Sequence, residues 1–121
     1  SITELKTMTK KEQRRRELQQ AYQTQLAACV KDSTTVTNIL IARIAYLAAY
    51  LDELQEQTTK EGVVVRYDNG GGQTGIRVHP AVQVYTQYHK DLTASLKQLR
   101  EFMPEDAGTD ALVAFMEEHK K

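Results

Sequence analysis

The stretch that decides the fold runs from Glu61 to Pro80 and reads EGVVVRYDNGGGQTGIRVHP. β-branched residues lead up to Tyr67, and Ile76 and Val78 form a second short alternating run, a pattern typical of two strands. The DNGGG cluster between them accepts positive φ without steric cost, so the chain can reverse there. The stretch therefore predicts a β-hairpin. Because an isolated two-stranded ribbon is only marginally stable, it needs neighbours from its own helices or from another subunit.

Three glycines of this stretch match the G-x-G-x-x-G spacing of dinucleotide-binding loops, namely Gly70, Gly72 and Gly75. That motif works when a helix follows it and directs its N-terminus at a pyrophosphate. Here Ile76 and Arg77 continue as a strand instead. We therefore interpret the glycines as a hairpin turn and expect no cofactor.

Two helices are predicted before the hairpin. The first runs from about Lys10 to Lys31 and has a basic first half. The polar residues at 32–35 are typical helix caps, and a second helix follows them as far as about Gln57.

Two further helices are predicted after the hairpin. His79 and Pro80 open the third, because a proline at the first helical position loses no hydrogen bond, and Pro104 ends it. A short fourth helix is expected from about Asp110 to Glu118.

Apolar residues recur along the second and third helices at steps of three and four, which indicates stripes against which other helices pack. These positions form the predicted oligomerisation surface: Val36, Leu40, Ile44, Leu47, Leu51 and Leu54 on the second helix, and Val82, Tyr85, Leu92, Leu96 and Leu99 on the third. Alanines widen the apolar face of the second helix. Two arrangements fit it: a compact core closed by the first helix, or a self-associating module in which helix pairs from different subunits pack side by side.

The sequence thus predicts a mainly α fold, with a long antiparallel helix pair, an inserted β-hairpin, a basic N-terminal helix and a short C-terminal helix. We divide the chain into an N-terminal basic helical segment (1–31), a helix–hairpin–helix oligomerisation core (32–104) and an acidic C-terminal segment (105–121).

Composition is ordinary for a globular chain of 121 residues, with 40% hydrophobic and 26% charged residues. The first residues contain no apolar signal-peptide core. The most apolar window, Ile39 to Leu51, includes Arg43 and is too short to span a bilayer. A cytoplasmic location without a membrane partner is expected. The single cysteine, Cys29, is expected to be a small buried residue.

The net charge is zero, but the charges are unevenly distributed. Residues 1–31 carry seven basic and three acidic side chains, whereas residues 101–121 carry six acidic and two basic ones. A basic end is typical of contact with phosphate backbones. The candidate DNA-binding residues are Lys10, Lys11, Arg14, Arg15, Arg16, Arg66 and Arg77. The alternative is that the basic run is a solvated helix start or pairs with the acidic C-terminal segment.

No catalytic or metal-binding group is predicted. The three histidines have neither partners at metal-ligand spacing nor a cysteine cluster nearby. The acids Asp52, Glu53 and Glu56 are interpreted as solvated surface of the second helix. We therefore expect a protein that is not an enzyme.

From about Ile39 to Pro104 the chain resembles the small terminase subunits of tailed phages, of the P27 type. The most distinctive parts are EGVV at 61–64, NGGG at 69–72 and VHPA at 78–81. A helix that ends in a glycine and an aliphatic strand, a glycine turn and a helix opened by His-Pro form that family's pattern. After the third helix the chain departs from the family's usual ending.

The resemblance implies a non-catalytic part of the viral DNA-packaging motor. Such subunits form homo-oligomeric rings in the cytoplasm of the host cell, recognise viral double-stranded DNA, and deliver it to the large terminase subunit, an ATPase and nuclease. On this interpretation the second and third helices and the hairpin build the ring, and the basic run contacts DNA. The alternative is a helical adaptor or regulator from a phage or mobile element, which binds another protein and has no intrinsic DNA binding.

Overall fold

The computed structural model describes residues 9–30, 33–68, 70–72, 74–103 and 109–119. The chain contains, in order, α1 (Lys10–Ala27), α2 (Thr35–Glu61), β1 (Val64–Asp68), β2 (Thr74–Val78), α3 (Pro80–Glu101) and α4 (Thr109–Glu118). The prediction of a mainly helical chain with a small antiparallel two-stranded sheet is confirmed. The predicted helix end at Pro104, and Glu105 and Asp106 of the acidic segment, lie outside the described residues.

Capping residues set the start of each of the first three helices. The hydroxyl of Thr9 accepts the backbone N–H of Glu12, which begins α1. Thr34 and Thr37 form a reciprocal capping box at the start of α2. His79 begins α3, where its Nδ1 accepts the backbone N–H of Ala81 at 3.0 Å. These caps leave fewer unpaired backbone groups at the helix starts.

The predicted helix limits differ from the observed ones by up to four residues. α1 ends at Ala27 rather than near Lys31, and α2 continues past Gln57 to Glu61. Gly62 ends α2 with a φ of +82°, a backbone conformation that residues with a Cβ atom rarely adopt. The glycine therefore lets the chain leave the helix and enter the ribbon.

The ribbon is a regular antiparallel pair in which Val64 faces Val78 and Arg66 faces Ile76. Gly70, Gly71 and Gly72 all have positive φ and reverse the chain at the tip, as predicted. Since directly opposed residues share a face of an antiparallel pair, Val64, Ile76 and Val78 lie on one face of the ribbon together with Arg66, Asp68 and Thr74. All three apolar side chains are exposed, Ile76 to 69%. The described part of the chain does not cover this face.

One hydrophobic core joins residues from all three predicted segments. It contains leucines of α2 and α3, together with Leu26 of α1 and Leu112 and Phe115 of α4. Tyr22 of α1 meets the ring of Phe115 edge-on, with centroids 5.6 Å apart. The first helix therefore closes the core, as one of the two predicted arrangements requires, but it does so together with α4.

Most residues of the predicted oligomerisation surface lie inside this core. Leu40, Ile44, Leu47, Leu51, Leu92, Leu96 and Leu99 are buried by the subunit itself. Leu54, Val82 and Tyr85 are partly buried, whereas Val36 is exposed. The buried leucines are covered without a second copy. An interface between copies that keep this fold would use other residues.

Candidate nucleic-acid interface

The basic run occupies the first two turns of α1, where positive charge is unfavourable because of the helix dipole. Acidic side chains of α2 offset that charge. Arg14 pairs with Glu56, and Arg15 pairs with Glu53 at 3.1 Å. The interpretation of Glu53 as solvated surface is therefore wrong, whereas Glu56 does lie at the surface but is paired with Arg14. Among the described residues, Arg14 and Arg15 thus pair with α2, and not with the acidic C-terminal segment that was the predicted alternative partner.

The two arginines lie in different environments. Arg14 and Glu56 are exposed at the surface, with 59% and 40% of their side chains accessible, whereas the Arg15 and Glu53 side chains retain only 18% and 13%. The Arg15 guanidinium also lies over the ring of Tyr50, 4.2 Å from its centroid. This geometry is a cation–π contact. Arg15 thus holds α1 against α2, and its charge is already paired with Glu53.

Tyr22 and Asp52 add a third contact between α1 and α2. The Tyr22 hydroxyl donates a hydrogen bond to the Asp52 carboxylate. Burial, and then this hydrogen bond, raise the pKa of Tyr22 far above its ordinary value of 10.0. Asp52 is therefore also paired rather than simply solvated, which corrects its interpretation from the sequence.

Lys10, Lys11 and Arg14 line an open groove of about 390 Å³ beside the last turns of α2. Lys60, which the sequence analysis missed, lies in the same groove. In the sequence, the only sign of this position was the i,i+4 spacing of Lys60 from Glu56. In the structure the Lys60 ammonium lies 3.5 Å from the Glu56 carboxylate. The groove also contains acids, including Glu53, Glu56 and Glu61. We name the three lysines, Lys10, Lys11 and Lys60, the lysine cluster; it lies at the end of the bundle from which the hairpin projects.

The remaining candidates do not form one continuous surface with this cluster. Arg16 is exposed and lines a second groove of about 470 Å³ between α1 and α2, with Tyr46 and Tyr50. The register places Arg66 opposite Ile76, and Arg77 opposite Val65. Because neighbouring residues of a strand point to opposite faces, Arg66 and Arg77 lie on opposite faces of the ribbon. They cannot contact the same phosphate strand from one face.

Cys29 and His79 contribute to packing and to helix capping. The predicted burial of Cys29 is confirmed at 2% exposure, and burial raises the pKa of its thiol. His79 caps α3 and lies 3.4 Å from the Glu61 carboxylate. Within the described parts of the chain, no group of three His, Cys, Asp or Glu residues could hold a metal ion. No helix in these parts is both long and apolar enough to cross a membrane.

The Arg14–Glu56 pair predicts a loss of stability in acid. A hydrogen bond from Arg14 lowers the pKa of Glu56 below its ordinary value of 4.5. The pair therefore stabilises the fold above pH 4.5, and the contribution disappears as the pH falls through the lower folded-state pKa. We expect Glu56→Gln to reduce the difference in unfolding free energy between pH 7 and acid, as measured by urea denaturation. The control Glu101→Gln, at the far end of α3, should retain the wild-type difference; an equal reduction in both variants would contradict this role.

No family model, curated protein or solved structure matches this chain.

Proposed function

We propose that this chain is a small terminase subunit of a tailed phage, which assembles as a ring, binds viral DNA and delivers it to the large subunit. The main support is the helix–hairpin–helix unit around Gly62 and His79, whose sequence resembles that family. Its ribbon exposes the apolar side chains of Val64, Ile76 and Val78 on the face that also carries Arg66. Exposed apolar surface of this kind is typical of contacts between chains, and a short two-stranded ribbon gains stability from such a contact.

Assembly would also compensate for the weak charge of one subunit. The chain has no net charge, and two of its seven candidate residues, Arg14 and Arg15, are paired with acids of α2. The lysine cluster supplies only a few cations per copy. Repetition around a closed assembly multiplies these contacts, and multivalent binding can exceed the affinity of a single site by orders of magnitude. DNA binding is thus proposed for the assembly, at the end that bears the hairpin.

The chemistry of packaging would belong to the large subunit. In this proposal the small subunit positions DNA and performs no bond cleavage. Within residues 105–121, the exposed side of α4, which carries Val113, Glu117 and Glu118, is available to contact the large subunit, whereas Leu112 and Phe115 are buried in the core. No contact of the described residues assigns that role. It follows from the acidity of the segment and from the resemblance.

The test combines absolute mass and DNA binding. Light scattering during size-exclusion chromatography should give one large, defined oligomer. The variant Lys10→Ala/Lys11→Ala/Lys60→Ala should keep that mass but bind double-stranded DNA more weakly, with a salt dependence reduced by about one for each phosphate that the variant no longer neutralises. These lysines are preferable to Arg15 because their removal leaves the partly buried Arg15–Glu53 pair intact and breaks only the exposed contact between Lys60 and Glu56.

Lys90→Ala/Lys97→Ala, on the exposed side of α3, is the matched control and should bind DNA like the wild type. An unchanged affinity and salt slope in the triple variant would contradict DNA binding by the lysine cluster. A mass of one or two subunits would contradict the ring.

The second candidate is a helical adaptor without intrinsic DNA binding. The pairing of Arg14 and Arg15 with acids of α2 favours it, because this pairing removes cations from the basic run. An adaptor would stay monomeric or dimeric until its protein partner is added, and would show no salt-dependent DNA binding. The same two measurements therefore separate the candidates.

A further inference from the structure

Much of the exposed apolar surface lies on one side of the α2–α3 pair. On α2 this side carries Val36, Ile39, Arg43, Tyr46 and Tyr50, which follow one another at steps of three, four, three and four. Ile39 is 54% exposed, and Val36 and Tyr46 are also exposed. We name this row and the matching row on α3 the open face.

The α3 row of the open face contains Val84, Tyr88, Asp91 and Phe102, again at helical spacing. Val84 and Phe102 are exposed. Tyr88 meets the ring of Tyr50 edge-on, with centroids 6.0 Å apart, which joins the two rows. The open face is thus two helices wide and continuous across their contact.

α4 covers the other side of the pair. α1 borders the open face, where its residues Arg15, Arg16 and Gln19 line a groove together with Tyr46 and Tyr50, and the described residues leave the rest of the face uncovered. Asp52 of α2 and Tyr85 of α3 share a small pocket with His119, at the end of α4. At 100° per residue, Tyr50 points about 200° away from Asp52 on the same helix. On α3, Val84 and Asp91 likewise point away from Tyr85, because Tyr88 lies between them and Tyr85 around the helix.

The tyrosines of the open face form a cluster. Tyr46 and Tyr50 have ring centroids 4.7 Å apart, and Tyr50 meets Tyr88 edge-on. The Arg15 guanidinium of α1 lies over the Tyr50 ring. Tyr46, which is exposed, therefore offers the ring that is most available for apolar contact.

Alternating steps of three and four are the spacing by which one helix packs against another in coiled coils. The α2 row has this spacing throughout, and the α3 row has it from Val84 to Asp91, so the face is suited to receive two helices. A ribbon or an irregular segment would not use the spacing of both rows. The occupant expected from this geometry is a pair of antiparallel helices.

The charges of the open face make it complementary to itself. The α2 row contains one charged residue, Arg43, and the α3 row contains one of opposite sign, Asp91. Tyr50 lies beside Tyr88. Because α2 and α3 run antiparallel, a step back along α2 corresponds to a step forward along α3. Arg43 lies seven residues before Tyr50 and is therefore level with Ser95, which lies seven residues after Tyr88. Ser95 is about one helical turn from Asp91.

From this geometry we propose that two copies of the chain pack through their open faces, with α2 of each copy against α3 of the other. A two-fold axis parallel to the helices leaves the position of every residue along the helix direction unchanged. Each Arg43 therefore comes within reach of the other copy's Asp91. All adjacent helices in the resulting four-helix layer run antiparallel, as in common bundles. The open face is roughly 27 Å long and about 20 Å wide, and its projected area of about 500 Å² is typical of interaction sites.

This inference goes beyond the proposed function, because it applies to a packaging subunit and to an adaptor alike. A two-fold contact closes at two copies. A ring built with it must therefore contain an even number of copies, joined by a second contact. The ribbon face that carries Val64, Ile76 and Val78 is available for that second contact.

The decisive experiment measures the absolute mass of the purified protein and of two variants by light scattering. Ile39→Glu should raise the dissociation constant between copies by at least tenfold and lower the mass. Val113→Glu, which places the same charge at an exposed valine on α4, should keep the wild-type mass. Circular dichroism should show both variants folded, since neither side chain is in the core.

Charge exchange tests the arrangement itself. Arg43→Glu and Asp91→Arg should each weaken association, and mixing the two variants should restore it, because the mixed pair contains two attractive contacts. Failure of the mixture to associate better than either variant alone would overturn the arrangement, as would a monomeric wild-type protein, an odd number of copies, or no effect of Ile39→Glu.

The same masses separate this inference from the ring. An isolated dimer that Ile39→Glu dissociates supports the open-face contact and contradicts the ring. A large even-numbered assembly that the variant breaks supports both. A large odd-numbered assembly supports the ring and overturns the open-face contact.

Discussion

Phe115→Ala is expected to lower the free energy of unfolding by about 3–5 kcal/mol, the range for removing a fully buried phenylalanine. Phe115 has no exposed surface, and its ring lies against Tyr22 of α1 and stacks on His119. The substitution therefore removes apolar burial and leaves a cavity where α4 meets the rest of the core. Urea denaturation followed by circular dichroism measures the loss.

Val113→Ala provides the matched control, because Val113 belongs to the same helix but is exposed. It should change the free energy by no more than about 0.5 kcal/mol, as is usual for surface substitutions. If Phe115→Ala cost less than about 1 kcal/mol, α4 would not be an integral part of the core, and the contact with Tyr22 would not persist in solution.

Arg15→Ala is expected to cost about 2 kcal/mol, whereas Arg14→Ala should cost less than about 1 kcal/mol. Removing Arg15 leaves the carboxylate of Glu53 largely buried without its partner, which is much less favourable than breaking an exposed pair. It also removes the contact over Tyr50, worth about 0.5–1 kcal/mol. Arg14 is the matched control, because its pair with Glu56 is exposed.

The double variant Arg15→Met/Glu53→Met identifies the cause of that loss. If the cost of Arg15→Ala comes from the unpaired carboxylate, apolar replacement of both partners should recover most of the stability. A double variant as unstable as Arg15→Ala would assign the loss to packing against Tyr50 instead. An equal cost for Arg14→Ala and Arg15→Ala in urea denaturation would contradict the difference in burial.

Local signals in the sequence were enough to predict the ribbon and the start of α3. The positive-φ glycines at the tip, and His79 followed by Pro80, act through their immediate neighbours, so their effects can be inferred without knowing the rest of the fold. The limits of α1 and α2 were less predictable. Gly62 ends α2 four residues later than expected, because polar residues such as Thr58 continue a helix without adding to its apolar stripe.

Interactions between distant parts of the chain could not be predicted in this way. Arg15 and Glu53 are 38 residues apart, and spacing rules detect ion pairs only within one helix. Helix α2 also carries two apolar rows, and periodicity cannot distinguish the row that faces the core from the row that faces outward. For this reason Val36 was grouped with the buried leucines although it is exposed.

The same limit applies to the candidate site. Composition alone drew attention to the basic run, but it could not reveal that α2 neutralises two of its arginines. Nor could it reveal that Lys60 lies beside Lys10 and Lys11. Such proximity arises from how α1 is placed along α2, which depends on the closing of the whole core.

The contact between Tyr22 and Phe115 has a consequence for how the protein is made. Helix α1 leaves the ribosome before the rest of the described bundle, yet its core partner Phe115 is more than ninety residues behind it. The α2–α3 pair, whose contacts span a shorter stretch of chain, can form earlier, because nearby segments lose less entropy on meeting. During synthesis Leu26 and Tyr22 therefore lack part of their final surroundings until α4 emerges, and the completed core is reached only after translation of that helix.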